Sequence, residues 1–280
     1  MSEEPERNRS ARAAAELALV RVVHHYDGPP DFVVLGGLVP ALLCSQAPVQ
    51  HIGTTDIDVQ VNLEIQEQGA HASRLERALR NADFAPDGER AWRWELRSDE
   101  VKAVVKFELL ADLDDQQAGA TVLFADCEDL GAANLRGTGY AARDVYLQEL
   151  SARDGGVRRT VDVQVTGLGG FLMAKVAAAH GRRSPKDWYD IAYVLLHNDD
   201  GGPQAAADRV VELFGAELPA MRTALVDLHA NFHDPESQGS RAYANQVGLD
   251  MPEEDPATLA TDAQLAVAQF CSTLLEHAGA

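Results

Sequence analysis

Two aspartates, Asp56 and Asp58, have the type and spacing needed to bind divalent cations. They begin a segment that runs to Leu63 and in which every second residue from Ile57 onward is apolar. This alternation predicts a β-strand with one apolar face and one polar face. Residues two apart on a strand project from the same face, about 6–7 Å apart, so both carboxylates can share hard cations such as Mg²⁺, which stabilise the charge that develops in phosphoryl transfer. Taken alone, the same pair also fits the solvated face of an edge strand, because the chain has 44 acidic residues.

A glycine pair, Gly36-Gly37, precedes the aspartates and follows the short apolar run 32–35. The run predicts a buried strand, and the apolar stretch 38–44 predicts a helix after the glycines. A glycine turn at the start of a helix exposes backbone N–H groups that bind phosphate. Because Thr54-Thr55 lead directly into the aspartates, we expect the glycine pair and the threonine pair to form the nucleotide-binding part of the site. An ordinary turn is the alternative.

Basic residues cluster in one short part of an otherwise acidic chain. Lys175 lies on an Ala-rich segment, and Arg182, Arg183 and Lys186 follow closely. A local basic cleft that attracts a polyphosphate is one interpretation. The alternative is an ordinary helix start, with Ser184 as N-cap and a proline at the first helical position.

These motifs together resemble those of a known enzyme family. Gly36-Gly37 and the run Thr54-Thr55-Asp56-Ile57-Asp58-Val59 are similar to the glycine turn and Asp-x-Asp strand of the DNA polymerase β superfamily of nucleotidyltransferases. The spacing, and the later run Lys186-Asp187-Trp188-Tyr189-Asp190-Ile191 behind Lys175, resemble those of the bacterial AbiEii/AbiGii-type toxin nucleotidyltransferases.

The resemblance implies roles for particular residues. Asp56 and Asp58 would be catalytic metal ligands, Lys175 and Arg182 would contact the triphosphate, and Asp187 would belong to the catalytic network. A third carboxylate on a neighbouring strand commonly completes the metal site in this superfamily, and Glu108 is our candidate because the alternation of 104–110 gives it the same kind of polar face. Asp112 is the second choice, and a surface pair of Glu108 with Lys106 is the alternative interpretation.

The implied activity is transfer of a nucleoside monophosphate from a nucleoside triphosphate to a hydroxyl group. The implied cofactor is Mg²⁺ or Mn²⁺, the triphosphate would lie between the aspartate strand and the lysine helix, and the acceptor would be a tRNA 3′ end or a protein. A toxin-like role with an antitoxin encoded nearby follows from the same resemblance. Two alternatives stay open: a nucleotide-binding regulatory protein with little or no catalysis, and an enzyme that modifies small cationic molecules, as aminoglycoside nucleotidyltransferases do.

The pattern of elements predicts an α+β fold in two parts. Residues 1–166 are predicted to form a nucleotidyltransferase-like domain with a mixed sheet flanked by helices, and residues 167–280 a helical domain that completes the active site. In the first part we predict, in chain order, a helix over 11–23, strands at 32–35 and 56–63, a helix over 71–81, strands at 92–97 and 101–110 joined by a turn at 98–100, and strands at 121–125 and 160–165. In the second part we predict helices over 168–180, 186–197, 203–214, 218–232 and 257–277.

Composition narrows the class of protein. No apolar run approaches the length of a transmembrane helix, and the N-terminal residues do not form a signal-like segment, so we expect a cytoplasmic protein without membrane contact. The three cysteines are far apart and in no metal-binding spacing. The formal net charge of −20 disfavours a broad nucleic-acid-binding surface.

Overall fold

The computed structural model describes residues 9–61, 70–98 and 103–279. The chain forms two compact units. The first unit consists of Met1–Val39 and Ile52–Thr166, and the second of Pro40–His51 and Gly167–Ala280. The chain therefore changes unit near residue 166, where the sequence places a boundary, and also leaves the first unit for the short segment 40–51, which the sequence analysis assigned to the first domain.

Within the described residues, nine strands form one mixed sheet in the first unit. The strands are β1 (Phe32–Leu35), β2 (Asp56–Val61), β3 (Ala85–Pro86), β4 (Arg93–Ser98), β5 (Ala103–Ala111), β6 (Thr121–Leu123), β7 (Gly131–Asn134), β8 (Val145–Asp154) and β9 (Val157–Thr166). The main order is β3-β4-β5-β2-β1-β9-β8, and β7 pairs with β5 and β6. The prediction of a mixed sheet with helices is thereby confirmed.

The helices of both units follow the apolar periodicity of the sequence. They are α1 (Arg9–Tyr26), α2 (Pro40–Leu43), α3 (Ala70–Asn81), α4 (Leu168–Arg182), α5 (Pro185–His197), α6 (Gly202–Phe214), α7 (Leu218–Asn231), α8 (Gln238–Asp250) and α9 (Pro256–Ala278). Of the described helices, none combines enough length with enough apolar surface to cross a membrane.

The core of the first unit lies on one face of the sheet. Alternate residues of β2 and β5, such as Ile57, Val59 and Phe107, are fully buried, and Phe107 makes edge-to-face ring contacts with Phe32 and Phe84. The helices α1 and α3 pack together, and α1 also contacts β8 and β9. The opposite face of β2 is polar, as its alternation predicts. Residues 62 and 63 of the predicted strand, and the predicted turn residues Asp99 and Glu100, lie outside the described residues.

The second unit is organised around α9, which packs against α5, α6, α7 and α8. Small and apolar residues recur every three or four positions along it, among them Ala263, Val267, Phe270 and Leu274, and all are buried. This spacing gives one helix enough apolar surface to contact several neighbours.

Three elements are absent from the sequence prediction. The helix α8 has a polar sequence and buries only a narrow stripe that includes Tyr243 and Val247 against α5 and α9. The strand β7 is a four-residue segment of small residues, and β8 is half-exposed along its length. Short or weakly apolar segments carry little periodic signal, so tertiary contacts decide their conformation.

Two glycines of α8 allow a matched test of helix packing. A Cβ at Gly239 would lie 2.3 Å from Cε2 of the buried Phe232, whereas a Cβ at Gly248 would meet nothing within 4 Å. We expect Gly239→Ala to lower the free energy of unfolding by about 1–3 kcal/mol through overpacking. Gly248→Ala should leave it unchanged or raise it by up to about 1 kcal/mol, since alanine favours helix. Urea unfolding followed by circular dichroism measures both, and equal effects at the two positions would contradict the packing at Phe232.

Candidate functional site

The carboxylate of Asp58 lies directly against Gly36. The antiparallel pairing of β1 with β2 sets Leu35 opposite Asp58, and the chain then turns in a short 3₁₀ segment, Gly36–Leu38. Gly36 has a φ of +75°, and a Cβ built on it would stand 1.9 Å from Oδ2 of Asp58. Only glycine fits here, because any side chain would strain the backbone and occupy the space of the carboxylate.

Gly37 and Thr54 have a comparable relationship. A Cβ at Gly37 would lie 2.9 Å from Cβ of Thr54, and Oγ1 of Thr54 accepts a hydrogen bond from the backbone N–H of Asp56 at 3.0 Å. Thr54 and Thr55 are both buried. The threonine hydroxyl thus fixes the start of β2, and a direct nucleotide contact by the glycines or threonines stays a prediction. The helix predicted after the glycines is a single turn, α2.

Charged side chains form two rows across three strands on the polar face of the sheet. The parallel pairing of β2 with β5 and the antiparallel pairing of β4 with β5 set these residues directly opposite one another. The first row is Arg93, Glu108 and Asp58, and the second row is Glu95, Lys106 and Asp56. Opposite residues of paired strands share a face, so the predicted carboxylates Asp56, Asp58 and Glu108 are brought together by strand register.

Each row contains one ion pair with a carboxylate. Nε and Nη2 of Arg93 lie 2.8 and 2.6 Å from the same oxygen, Oε1 of Glu108. Nζ of Lys106 lies 3.6 Å from Oδ1 of Asp56. The ion pairs therefore join Glu108 to Arg93 and Lys106 to Asp56, which differs from the Lys106–Glu108 surface pair considered from the sequence. Because these side chains are partly exposed, each pair contributes about 1 kcal/mol or less to stability.

The environment of Glu108 disfavours its charged form. Burial raises the pKa of this carboxyl, the guanidinium of Arg93 acts in the opposite direction, and the negative charge of Asp56 raises the pKa further. The net direction is upward. A carboxylate with a raised pKa is a better proton acceptor once it is ionised.

The chemistry of the donors fits a divalent cation, although they do not form a closed cage. Within residues 9–61, 70–98 and 103–279, no group of three or more histidine, cysteine or acidic side chains is placed so as to hold a metal ion. The fit is supported by the space that Gly36 leaves around the Asp58 carboxylate. Carboxylate oxygens are the ligands that Mg²⁺ and Mn²⁺ prefer, so Asp56, Asp58 and Glu108 would hold such an ion after rotation of their side chains.

Asp112, the second choice for a third carboxylate, is used differently. It follows the end of β5, and its Oδ2 accepts hydrogen bonds from the backbone N–H groups of Gly137 and Gly139 at 2.8 and 3.1 Å. This carboxylate therefore holds the glycine-rich loop in place, and Glu108 is the better candidate.

An acidic cavity lies next to the second row. It has a volume of about 440 Å³ and includes Glu95, the outer member of that row, in its wall. Its other lining residues are Asp83, Ala85, Pro86, Asp87, Gly88 and Arg97. The volume falls in the range of small-molecule sites, and Glu95 lies two strand spacings, or about 10 Å, from Asp56.

The second unit contains a buried charge network centred on Lys175. Nζ of Lys175 donates hydrogen bonds to Oδ1 of Asp187 at 3.1 Å and to Oδ2 of Asp190 at 2.8 Å. Both aspartates are fully buried, and Lys175 is 5% exposed. Arg182 binds Asp187 through two hydrogen bonds, of 2.6 and 2.8 Å, while most of its side chain faces solvent. The structure thus joins three predicted site residues, Lys175, Asp187 and Arg182, in one ion-pair network.

His51 extends the network and is missing from the sequence prediction. Its Nε2 lies 3.0 Å from Oδ1 of Asp190, and its ring stacks on Tyr189 with centroids 5.0 Å apart. The hydroxyl of Tyr193 donates to the carbonyl of Val49 at 2.7 Å, which ties the same segment to α5. Asp190 was visible as part of the motif after Lys186, but no periodic or motif signal marked His51.

Opposing effects set the pKa values in this network. Burial lowers the pKa of Lys175, but Asp190 and Asp187 raise it, and the net direction is upward. Burial raises the pKa of Asp187, but Lys175 and Arg182 lower it, and the net direction is downward. Both groups are therefore held in their charged forms, and a phosphate contact by Lys175 or Arg182 stays a prediction.

Comparison with known proteins adds no relative. No protein-family model matches the chain, and no curated protein shows significant similarity to it. The assignment of function consequently rests on the residues and geometry described above.

The lysine network predicts an unusual dependence of stability on pH. Lys175→Met leaves two buried aspartates without their shared cation, and we expect a loss of about 3–5 kcal/mol in the free energy of unfolding at pH 7. In the wild type, the lowered pKa of Asp187 gives stability that is present at neutral pH and lost as the pH falls through that pKa. In the variant the buried carboxyls favour protonation, so the deficit should shrink between pH 7 and pH 5.

Urea unfolding of both proteins at the two pH values measures this effect. Lys186→Met is the matched control, because Lys186 lies on the same helix and is only partly buried. A deficit that is the same at both pH values would show that the buried carboxylates are not responsible.

Proposed function

We propose that the protein is a divalent-metal-dependent nucleotidyltransferase that moves a nucleoside monophosphate from a nucleoside triphosphate to an acceptor hydroxyl. The observation that carries the proposal is the contact of Gly36 with the Asp58 carboxylate, on a face where Asp56 and Glu108 also project. This arrangement agrees with the resemblance of the glycine turn and the Asp-x-Asp strand to polymerase β-type enzymes.

The residues have distinct roles in the proposed reaction. The acceptor oxygen attacks the α-phosphorus in line, a new P–O bond forms, and the bond to the leaving pyrophosphate breaks. A bound Mg²⁺ or Mn²⁺ would neutralise charge on the phosphate oxygens. Asp56 and Asp58 would hold the cation, and Glu108, whose pKa is raised, would accept the proton of the attacking hydroxyl.

Arg93 and Lys106 place positive charge within the same face. They pair with Glu108 and Asp56 respectively, so their cationic groups stand close to the carboxylates that face the reacting phosphate. Positive groups fixed beforehand stabilise the charge that develops on the phosphoryl oxygens without needing to reorganise. The contact of Lys175 with the triphosphate remains part of the proposal through the family resemblance alone.

The acceptor in the first candidate function is a tRNA 3′ end or a protein hydroxyl, and the cellular role is toxin-like with an antitoxin partner. A second candidate, a small cationic acceptor, is favoured by the acidic cavity that shares Glu95 with the second row. The net charge of −20 attracts cations and repels nucleic acid. A direct comparison of acceptors separates the two.

Transfer of α-³²P label tests the proposal. With Mg²⁺ and each of the four nucleoside triphosphates, we expect label on one of three acceptor pools: total tRNA, protein, or an aminoglycoside mixture. Asp56→Asn and Asp58→Asn should each lower the rate by more than about 100-fold, since loss of a metal ligand costs more than loss of its supporting group. Asp115→Asn, at an exposed position of the same unit, is the control and should retain the wild-type rate.

Each outcome of this assay is informative. Label on tRNA or protein supports the first candidate, and label only on the aminoglycosides supports the second. Triphosphate binding without transfer to any acceptor would replace the enzyme with the regulatory alternative. Equal transfer by the wild type and both aspartate variants would remove the proposed site altogether.

The glycine at position 36 gives a second test of the same site. Gly36→Ala places a methyl group where the Asp58 carboxylate now lies, so we expect Mn²⁺ affinity to fall at least about 10-fold, within the range for disturbed ligand orientation. Gly88→Ala is the control, because a Cβ there meets nothing within 4 Å. Isothermal titration with Mn²⁺ measures both variants, and unchanged affinity in Gly36→Ala would show that the Asp58 carboxylate does not bind the ion.

A further inference from the structure

The second row places a cation beside Asp56 by strand register. Lys106 lies directly opposite Asp56 in the parallel β2–β5 pairing, and its Nζ is 3.6 Å from Oδ1 of the aspartate. Its backbone is held between β2 on one side and β4 on the other. The ammonium group is therefore a fixed feature of this face and lies where a cation bound to Asp56 would have to approach.

The first row is arranged in the opposite way. Both donors of Arg93 contact Oε1 of Glu108, and among the described residues no hydrogen-bond donor contacts Oε2. Glu108 lies directly opposite Asp58. A carboxylate oxygen of Glu108 and the carboxylate of Asp58 are thus available on the same face to coordinate one ion, with Arg93 holding Glu108 from the far side.

The charges of the two rows point to the same number of ions. Four carboxylates and two cationic side chains together carry a net charge of −2. One divalent cation neutralises this charge, whereas two would leave a positive excess next to the ammonium of Lys106. Because like charges repel strongly at such short range, a second divalent ion at Asp56 is disfavoured.

We propose that the site binds one divalent cation per chain, at Asp58, Glu108 and the near side of Asp56, and that the ammonium of Lys106 takes the place of a second cation. This inference rests on the proposed function. Two-ion sites use a pair of cations about 3.5–4 Å apart to stabilise the attacking and leaving oxygens. Here a protein side chain supplies one of the two positive charges, so the reaction depends on a single exchangeable ion.

The number of bound ions tests the inference without any turnover. The full-length chain is dialysed to equilibrium against Mn²⁺ and an α,β-methylene nucleoside triphosphate analogue, which is not cleaved at the α–β position, and bound Mn²⁺ and analogue are counted. We expect one Mn²⁺ per bound analogue for the wild type and two for Lys106→Met. Lys106→Arg, which keeps the positive charge, should stay at one.

A matched control and a folding check accompany these variants. Arg97→Met removes an exposed cation from the end of β4 and should leave the ratio at one. Circular dichroism verifies that each variant is folded, which we expect because Lys106 is partly exposed. Two Mn²⁺ per analogue in the wild type, or an unchanged ratio of one in Lys106→Met, would overturn the inference.

The same experiment distinguishes failure of the inference from failure of the proposed function. Two ions in the wild type that are both lost in Asp58→Asn would leave the metal-dependent site intact and overturn only the one-cation inference. No Mn²⁺ binding by the wild type, or binding that Asp58→Asn does not alter, would overturn the proposed function and this inference with it.

Discussion

The parallel pairing of β2 with β5 is the constraint on which the candidate site depends. Its register sets Asp58 opposite Glu108 and Asp56 opposite Lys106. A shift by one residue would turn every one of these side chains into the apolar core and expose Ile57 and Phe107, because successive side chains of a strand point to opposite faces. Burial of the apolar face by α1 and α3 therefore fixes the position of the charges on the other face, and hydrophobic packing determines the geometry of the polar site.

Charge in this protein is balanced locally, even though the chain as a whole is strongly acidic. On the sheet, Arg93 and Lys106 each face a carboxylate at a partly exposed position, where water screens the pair and side chains can move to admit a ligand. In the second unit, Lys175 faces two fully buried aspartates, where the absence of water makes each partner indispensable. The first arrangement is suited to exchange of ions, and the second is suited to holding a helix pair in one conformation.

The glycines illustrate how a short motif acts through its surroundings. From the sequence, Gly36-Gly37 was expected to expose N–H groups at the start of a helix. In the structure the following helix is one turn long, and the absence of side chains at the glycines makes room for the carboxylate of Asp58 and for Thr54. The residues were correctly recognised, but the reason for them is a close approach between neighbouring strands, which depends on tertiary packing.

The sequence by itself determined the features that have a local cause. Alternation located β2 with its apolar and polar faces, helical spacing located most helices within a few residues, and residue type with resemblance selected Asp56, Asp58 and Glu108. Only the tertiary structure decided which of these residues meet. Strand register brought Arg93 to Glu108 and Lys106 to Asp56, and the segment 40–51 joined the second unit, where His51 contacts Asp190. Periodicity reports which side of an element is buried, whereas the partner of a charged side chain depends on pairing between distant segments, for which a single sequence carries no signal.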